Sequence, residues 1–172
     1  YTRDKWNYSW RNDAVGVALI SDNSSFVISG IELKNRSWSN TTGLIQGVTT
    51  ITSSNEAKKD FNGFQNTQSI AEYTHASAAY ECTVTQFKNG QMGYLASVGE
   101  WMEIINNLDE INKCMSLIDG LDIDEGVTSY WTSTQYNYEK AWLVTYNGNE
   151  FYPNDERKGV SFYAIRVISQ LI

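Results

Sequence analysis

The chain has 172 residues, of which 41% are hydrophobic and 13% aromatic, and its formal net charge is −7. This length suits a single domain over residues 1–172 that buries a sizeable core, and the hydrophobic content argues against a disordered chain. The 20 acidic residues outnumber the 13 basic residues, so the chain would repel a phosphate backbone. We therefore expect no nucleic-acid partner. No apolar run approaches the roughly 18 residues that span a bilayer, so we expect no membrane insertion.

The first predicted element is a β-hairpin. Residues 1–11 precede it and are compatible with a linker or with the tail of a longer protein. Residues 14–21 and 25–33 are short runs rich in Val and Ile, which favour strands. Asp22, Asn23 and Ser24 between them have turn chemistry, so the two runs are predicted to pair. Residues 40–65 are dominated by Ser, Thr, Asn and Gly and are predicted to be irregular.

Two helices are predicted in the middle of the chain. Residues 66–87 carry apolar side chains at three- to four-residue spacing, which indicates one helix with a stripe of Ile70, Tyr73, Ala76 or Ser77, Tyr80 and Val84. A second helix is predicted to begin at Ser97, because Ser97 and Glu100 have the spacing of a capping box. Its stripe is expected to face the core and consists of Trp101, Ile104, Ile105, Leu108, Ile111 and Met115.

Strands are predicted to form the last part of the chain. They cover residues 130–134, 141–147, 149–152 and 160–168, where β-branched and aromatic residues are frequent. Asn147 and Gly148 give a strong two-residue hairpin signal between two of them. The order of hairpin, helices and meander predicts an α+β fold, with two helices packed on one side of mainly antiparallel strands.

Aromatic residues are concentrated in this last part, since 10 of the 23 fall within residues 130–166. They alternate with small polar residues, a composition that is typical of recognition surfaces. The period of two in residues 141–147 places Trp142 and Val144 on one strand face, predicted to be core, and Leu143 and Thr145 on the other. The segment therefore predicts an exposed, aromatic-rimmed binding patch, although tyrosines that fill a small core would give the same pattern.

Few other side chains have the pattern of a chemical site. The acidic residues Asp119, Asp122, Asp124 and Glu125 do not match the EF-hand spacing. This favours a solvated loop, or carboxylates near the C-terminal end of the second helix, over a calcium site. His75 is the only histidine and is predicted to lie within a helix, with no nucleophile or metal-ligand partner. Cys82 and Cys114 are predicted to be free thiols on helices, with a single bridge left open. We expect no catalytic residues, no metal and no cofactor.

Five sequence blocks occur in the order found in a known family. They are DFNGFQNT, GYLASVGEWMEIINN, YWTSTQY, the pair Ala141-Trp142 and the closing AIRVI. These blocks, with the opening hairpin, resemble the C-type-lectin-like domains of bacterial (including Bacteroidetes) and phage adhesins, over residues 12–168. That group includes the variable target proteins of diversity-generating retroelements. Ala96 stands where the family often has Pro, and Ala164-Ile165-Arg166 replaces the family's Arg-Ala-Val-Arg.

The resemblance implies a C-type-lectin-like fold whose ligand-binding, variable region falls within residues 130–168. It implies an extracellular, cell-surface or virion location and a cell-surface protein or glycan as partner. The solvent-facing candidates are Tyr136, Asn137, Tyr138, Leu143, Thr145, Asn149, Tyr152, Asn154, Asp155, Arg157 and Phe162. The leading hypothesis is a receptor- or ligand-binding adhesin domain. The alternative is a structural fibre or surface-decoration domain in which the aromatic patch is the interface of a homo-oligomer.

Overall fold

The computed structural model describes residues 1–124 and 126–172, and at its centre lies a mixed β-sheet. Short 3₁₀ turns at Arg3–Lys5 and Tyr8–Asp13 precede the first strand. The remaining elements in chain order are β1 (Val17–Ile20), β2 (Ser25–Arg36), α1 (Ser54–Ala57), α2 (Gly63–Tyr73), α3 (Ala78–Val84), β3 (Gly93–Leu95), α4 (Val98–Asn106), α5 (Leu108–Leu117), β4 (Ser129–Gln135), β5 (Lys140–Tyr146), β6 (Phe151–Arg157) and β7 (Tyr163–Gln170). No helix among these described residues has the length and apolar character needed to cross a membrane.

The strand order in the sheet is β1-β2-β7-β4-β5-β6, and β3 also pairs with β7. Pairing is antiparallel except between β4 and β7, which run parallel. The predicted α+β class and the mainly antiparallel sheet are therefore confirmed. The predicted closing meander is correct for β4, β5 and β6 but wrong for β7, which lies between β2 and β4.

The helices cover both faces of the sheet, so the prediction that they pack on one side is wrong. Along β7, Ala164 and Ile168 belong to a hydrophobic cluster with residues of α4 and α5. The intervening residues Ile165 and Val167 belong to a second cluster with residues of α2 and α3. Since successive side chains of a strand point to opposite faces, the two helix pairs lie on opposite sides of β7.

Both predicted helices are interrupted. The first is broken because Thr74 is extended and Ser77 caps a new helix, its side chain accepting a hydrogen bond from the Tyr80 amide. The second is divided at Asn107, although Trp101, Ile104, Ile111 and Met115 are all buried. The capping box of Ser97 and Glu100 is confirmed. Residues 40–65 are largely irregular, as predicted, apart from α1 and the start of α2.

Both predicted hairpins are confirmed. Ile20 pairs with Ser25, and the Ser21 amide donates to the Ser24 carbonyl at 3.0 Å. In the β5–β6 hairpin the Asn147 amide donates to the Glu150 carbonyl at 3.1 Å. Gly148 has φ of 95°, a conformation that favours glycine, which explains the strength of the sequence signal there.

A buried ion pair joins β2, β7 and the segment before β4. Arg166 on β7 pairs with Glu32 on β2, and both side chains are almost fully buried. The guanidinium also donates to the carbonyls of Ser29, Leu121 and Asp122 at 2.9–3.1 Å. Arg166 therefore holds the acidic segment around residue 122 against the sheet.

A second buried polar group lies at the start of α4. The Glu100 carboxylate accepts hydrogen bonds from the Ser97 amide at 2.8 Å and from the Tyr94 hydroxyl at 3.2 Å. Burial, with the nearby charge of Asp60, raises the pKa of Glu100 to about 7. The same burial and the neighbouring carboxylate raise the pKa of Tyr94 above its usual range.

Candidate functional site

The structure does not bring the predicted site residues together on one surface. In the β5–β6 hairpin Lys140 pairs with Arg157 at one end and Tyr146 pairs with Phe151 at the other. Tyr136, Asn137, Tyr138, Asp155 and Arg157 lie towards the first end, whereas Thr145, Asn149 and Tyr152 lie towards the second. Asn154 lies between the two ends, and Phe162, which is 82% exposed, immediately precedes β7.

The prediction that Leu143 faces solvent is wrong. Its side chain is 1% exposed and belongs to the hydrophobic cluster that contains Trp131 and Ile165. On the opposite face of β5, Trp142 and Val144 are buried as well. The period of two separated the faces correctly, but it could not show that helices and loops cover both of them. Thr145 is half-buried, and its hydroxyl lies 3.1 Å from that of Ser129.

Three large exposed side chains surround Gly43 at the first end of the hairpin. Tyr138, in the turn between β4 and β5, is 58% exposed, and its carbonyl accepts a hydrogen bond from the Gly43 amide at 2.9 Å. Leu44 follows Gly43 and is 60% exposed. Tyr73, at the end of α2, is also more than half exposed, and a Cβ added to Gly43 would lie 3.6 Å from its hydroxyl. We call Leu44, Tyr73 and Tyr138 the Gly43 patch.

A buried lysine fixes the loop that contributes Leu44 to this patch. The Lys158 ammonium donates to the Gly43 carbonyl and to the Gln135 side-chain oxygen, both at 2.6 Å. It also lies 4.8 Å from the ring centre of Trp38, within range of a cation–π contact. Burial lowers the pKa of Lys158 to about 8, but the two acceptors and the ring favour its charged form. Lys158 directly follows β6, so its hydrogen bond to the Gly43 carbonyl connects the loop backbone to the sheet.

The turn that carries Tyr138 is fixed by local contacts. The Asn137 side-chain oxygen accepts hydrogen bonds from the amides of Glu139 and Lys140, both at 2.9 Å. Asn137 is therefore a turn-forming residue, which is a common role of asparagine in such loops. Tyr136 is half-buried and packs edge-on against Trp142, with ring centres 5.1 Å apart. Of the predicted residues in this turn, Tyr138 is the one that presents its side chain to solvent most fully.

The second end of the hairpin borders an open cavity of about 440 Å³. Its lining includes Asn149, a predicted site residue, and the aromatic rings of Tyr146 and Phe151. Four carboxylates also line it, those of Asp109, Glu110, Asp124 and Glu150. Within residues 1–124 and 126–172, no three His, Cys, Asp or Glu side chains come together in a way that could hold a metal ion.

The acidic segment predicted to be a solvated loop has structural contacts. Asp119 pairs with Arg11 at 3.0 Å and accepts a hydrogen bond from the Tyr8 hydroxyl. The carbonyl of Asp122 accepts from Arg166, as described above. Glu125, the last member of the predicted acidic cluster, lies outside the described residues.

The histidine and the two thiols are not assembled into a catalytic arrangement. His75 lies in the break between α2 and α3, not within a helix, and its exposed ring stacks on Tyr80 with 4.3 Å between ring centres. Cys82 on α3 and Cys114 on α5 are both free, as predicted. Burial raises the pKa of the Cys82 thiol, which keeps it protonated and unreactive.

Sequence reasoning missed two members of the Gly43 patch. Leu44 falls in the segment predicted to be irregular, where the sequence has no periodicity that would distinguish exposed from buried residues. The spacing places Tyr73 in the apolar stripe of one long helix, but α2 ends at that residue and leaves the side chain exposed. The polar residues that follow it, Thr74 and His75, were the available sign that the helix stops there.

Comparison with known proteins shows that this chain has a fold similar to that of one solved structure. No family model and no curated protein matches this sequence. Among solved structures, the crystal structure of a fimbrial protein from Bacteroides ovatus is similar, with a TM-score of 0.61 and 18% sequence identity. The match covers 86% of this chain and 36% of the fimbrial chain, so this chain spans little more than a third of that protein's length. At this identity the two chains share an overall fold.

Proposed function

We propose that this chain is a ligand-binding domain of a cell-surface adhesin and that the Gly43 patch contacts the ligand. The observation that carries the proposal is the grouping of Leu44, Tyr73 and Tyr138, three large exposed side chains, around one loop. Tyrosine offers a wide contact area together with a hydroxyl, and it loses little conformational entropy on binding. Loops that a rigid scaffold positions are the usual place for binding residues.

The hydrogen bonds that fix the backbone around the patch support a binding role, because a rigid surface loses less conformational entropy when it binds a ligand. Lys158 donates a hydrogen bond to the Gly43 carbonyl, and the Asn137 side chain accepts one from the Glu139 amide in the turn that carries Tyr138. The likeness to a fimbrial protein adds support for a role outside the cell, at a surface. A cell-surface protein or a glycan is the partner class that this proposal names.

We expect single substitutions in the Gly43 patch to weaken binding. The probes are a printed glycan array and intact bacterial and epithelial cells, with the labelled protein measured by fluorescence. Tyr138→Ser or Tyr73→Ser should lower the affinity for whichever probe binds by about tenfold or more, as truncation of a central aromatic contact usually does. Ile31→Ser is the matched control, because Ile31 is 62% exposed and lies on β2.

Two further variants separate this surface from the one predicted by the sequence. Tyr152→Ser and Phe162→Ser remove exposed aromatic side chains that lie away from Gly43. Binding that is lost in these variants and kept in Tyr138→Ser would place the ligand on β6 and the start of β7 and refute the role of the patch. Failure of the wild-type protein to bind any probe, together with self-association that Tyr138→Ser abolishes, would favour the structural fibre domain.

We further propose that the chain is a C-type-lectin-like domain whose C-terminal segment is diversified by a retroelement. The exposure of Tyr138, Asn154, Arg157 and Phe162 supports this proposal, because a diversified position must tolerate many side chains. Sequencing of the 3′ end of the gene across a population should show substitutions at such exposed positions, with Trp131, Trp142, Leu143 and Arg166 unchanged. A uniform 3′ end without a near-copy beside a reverse transcriptase gene would end this proposal and leave an adhesin of fixed specificity.

A further inference from the structure

Among the described residues the main strand order ends at β1 and at β6, and the open edges of these two strands differ in chemistry. An outer strand presents unpaired amides and carbonyls, which can pair with another chain unless the edge is protected. In an antiparallel pair, alternate residues direct their backbone groups towards the partner strand and the others direct them outwards. The hydrogen bond that closes each hairpin therefore shows which residues face outwards.

The edge at β6 is protected. Because the Asn147 amide bonds to the Glu150 carbonyl, the alternation directs the backbone groups of Phe151, Pro153, Asp155 and Arg157 outwards. Pro153 has no amide hydrogen, so the central donor of this edge is missing. The Arg157 amide is already bonded to the Glu156 side chain at 2.8 Å. The charged side chains of the strand oppose strand addition further.

The edge at β1 lacks these protections. The Ser21 amide bonds to the Ser24 carbonyl, so the alternation directs the backbone groups of Ala18 and Ile20 outwards. Residues Val17–Ile20 include no charge and no proline, and the Ile20 side chain is 75% exposed. In the described part of the chain, the backbone hydrogen bonds of the N-terminal 3₁₀ turns are all local and none reaches this edge.

We propose that β1 pairs with β1 of a second copy of this chain, antiparallel and across a two-fold axis. With Ala18 opposite Ile20 of the other copy, the outward-facing residues meet each other, and both ends of the short strand make reciprocal backbone hydrogen bonds. In this register Leu19 lies opposite Leu19 of the second copy. The strand face that points to the core in one copy is therefore continuous with the same face in the other copy. The exposed Ile20 side chain is then covered by Ala18 of the second copy.

The protected edge explains why the partner is a second β1 and why assembly stops at two copies. Addition of β1 to β6 would be a head-to-tail contact that repeats indefinitely, and Pro153 with its charged neighbours opposes it. Pairing of β1 with β1 uses the same surface on both copies and leaves no free β1 edge. The unprotected edge thus fits a closed dimer and does not require a different protein.

There is room beside β1 for the second copy. A cavity of about 390 Å³ lies along this edge, with Gly16 and Ala18 in its lining and with walls that include Trp6 and Trp10. In the proposed register the turn residue Asp22 of each copy lies opposite Gly16 of the other. The β1–β2 turn of one copy would therefore enter the aromatic-walled cavity of the other.

Sedimentation velocity of the whole chain tests the proposal, over concentrations from about 1 µM to about 1 mM, which brackets weak to moderate association. We expect a concentration-dependent dimer that Ile20→Lys and Ala18→Pro each weaken by about tenfold or more. Both positions are exposed, and the Ala18 amide makes no bond to β2, so the fold is expected to remain, as circular dichroism can verify. Ile31→Lys is the matched control, because it adds the same charge at an exposed isoleucine of β2 that lies away from this edge.

Amide hydrogen exchange gives a residue-specific readout. In the dimer the Ala18 and Ile20 amides should exchange slowly, whereas in the Ile20→Lys variant the Ala18 amide should exchange rapidly while Val17 and Leu19, bonded to β2, stay protected. A protein that is monomeric over the whole range overturns the proposal. So does a dimer that persists in both edge variants or that Tyr138→Ser abolishes instead, since the latter would place the interface on the Gly43 patch.

Discussion

Replacement of Arg166 by methionine is expected to lower the free energy of unfolding by about 3–5 kcal/mol, the usual cost of removing one partner of a buried ion pair. The loss is large because Glu32 would be left without its arginine in a site where its side chain is 1% exposed. The carbonyls of Leu121 and Asp122 would also lose their donor, which releases the segment before β4. Chemical denaturation of the wild type and the variant measures the difference.

Two controls isolate the role of the buried ion pair. Arg157→Met removes the same type of side chain from an exposed position and should change stability by less than about 1 kcal/mol. The double variant Arg166→Met with Glu32→Met should be more stable than Arg166→Met alone, because it removes the unpaired charge as well. A cost for Arg166→Met no larger than that of Arg157→Met would show that the pair does not hold the sheet together.

The protein is expected to lose about 3 kcal/mol of stability as the pH rises from about 4.5 to above 7, through Glu100 alone. Burial raises the pKa of this carboxyl to about 7, so the native state keeps its proton where the unfolded state has released it. The contribution of Glu100 is therefore complete below pH 4.5 and is lost as the pH rises through 7. Denaturation curves at a series of pH values measure this slope.

The variant Glu100→Gln should remove this pH dependence and be the more stable protein at pH 8. Glutamine can keep the capping box, because its side-chain oxygen accepts from the Ser97 amide as the carboxylate does. Glu56→Gln is a matched control, since Glu56 follows the helix cap Ser53 at the same spacing but is exposed. An unchanged slope in Glu100→Gln, or an equal change in Glu56→Gln, would contradict the assignment to Glu100.

Local signals in the sequence predicted local structure well. The capping box of Ser97 and Glu100, the turn between β1 and β2 and the Asn147-Gly148 hairpin are all found where the sequence predicts them. Each depends on residues within a few positions of one another. The helix breaks at Thr74 and Asn107 were missed because an apolar stripe can continue across a break when both helices face the same core.

The features that the sequence did not predict depend on distant contacts. Leu143 is buried because Trp131 and Ile165, on two other strands, share its cluster, and the alternation within β5 contains no information about them. The Gly43 patch joins α2, an irregular loop and the β4–β5 turn, so its three side chains are far apart in the chain. The position of β7 between β2 and β4 is likewise a property of the whole sheet.

That position of β7 has a consequence for how the chain folds during synthesis. Residues Tyr163–Gln170 leave the ribosome after the other strands of this sheet, yet they connect the β1–β2 hairpin to the part formed by β4, β5 and β6. Until they emerge, the two halves of the sheet have no common strand, and Glu32 lacks the arginine with which it pairs. Because such long-range pairing is slow to form, the sheet stays incomplete until Tyr163–Gln170 have emerged and paired with β2 and β4.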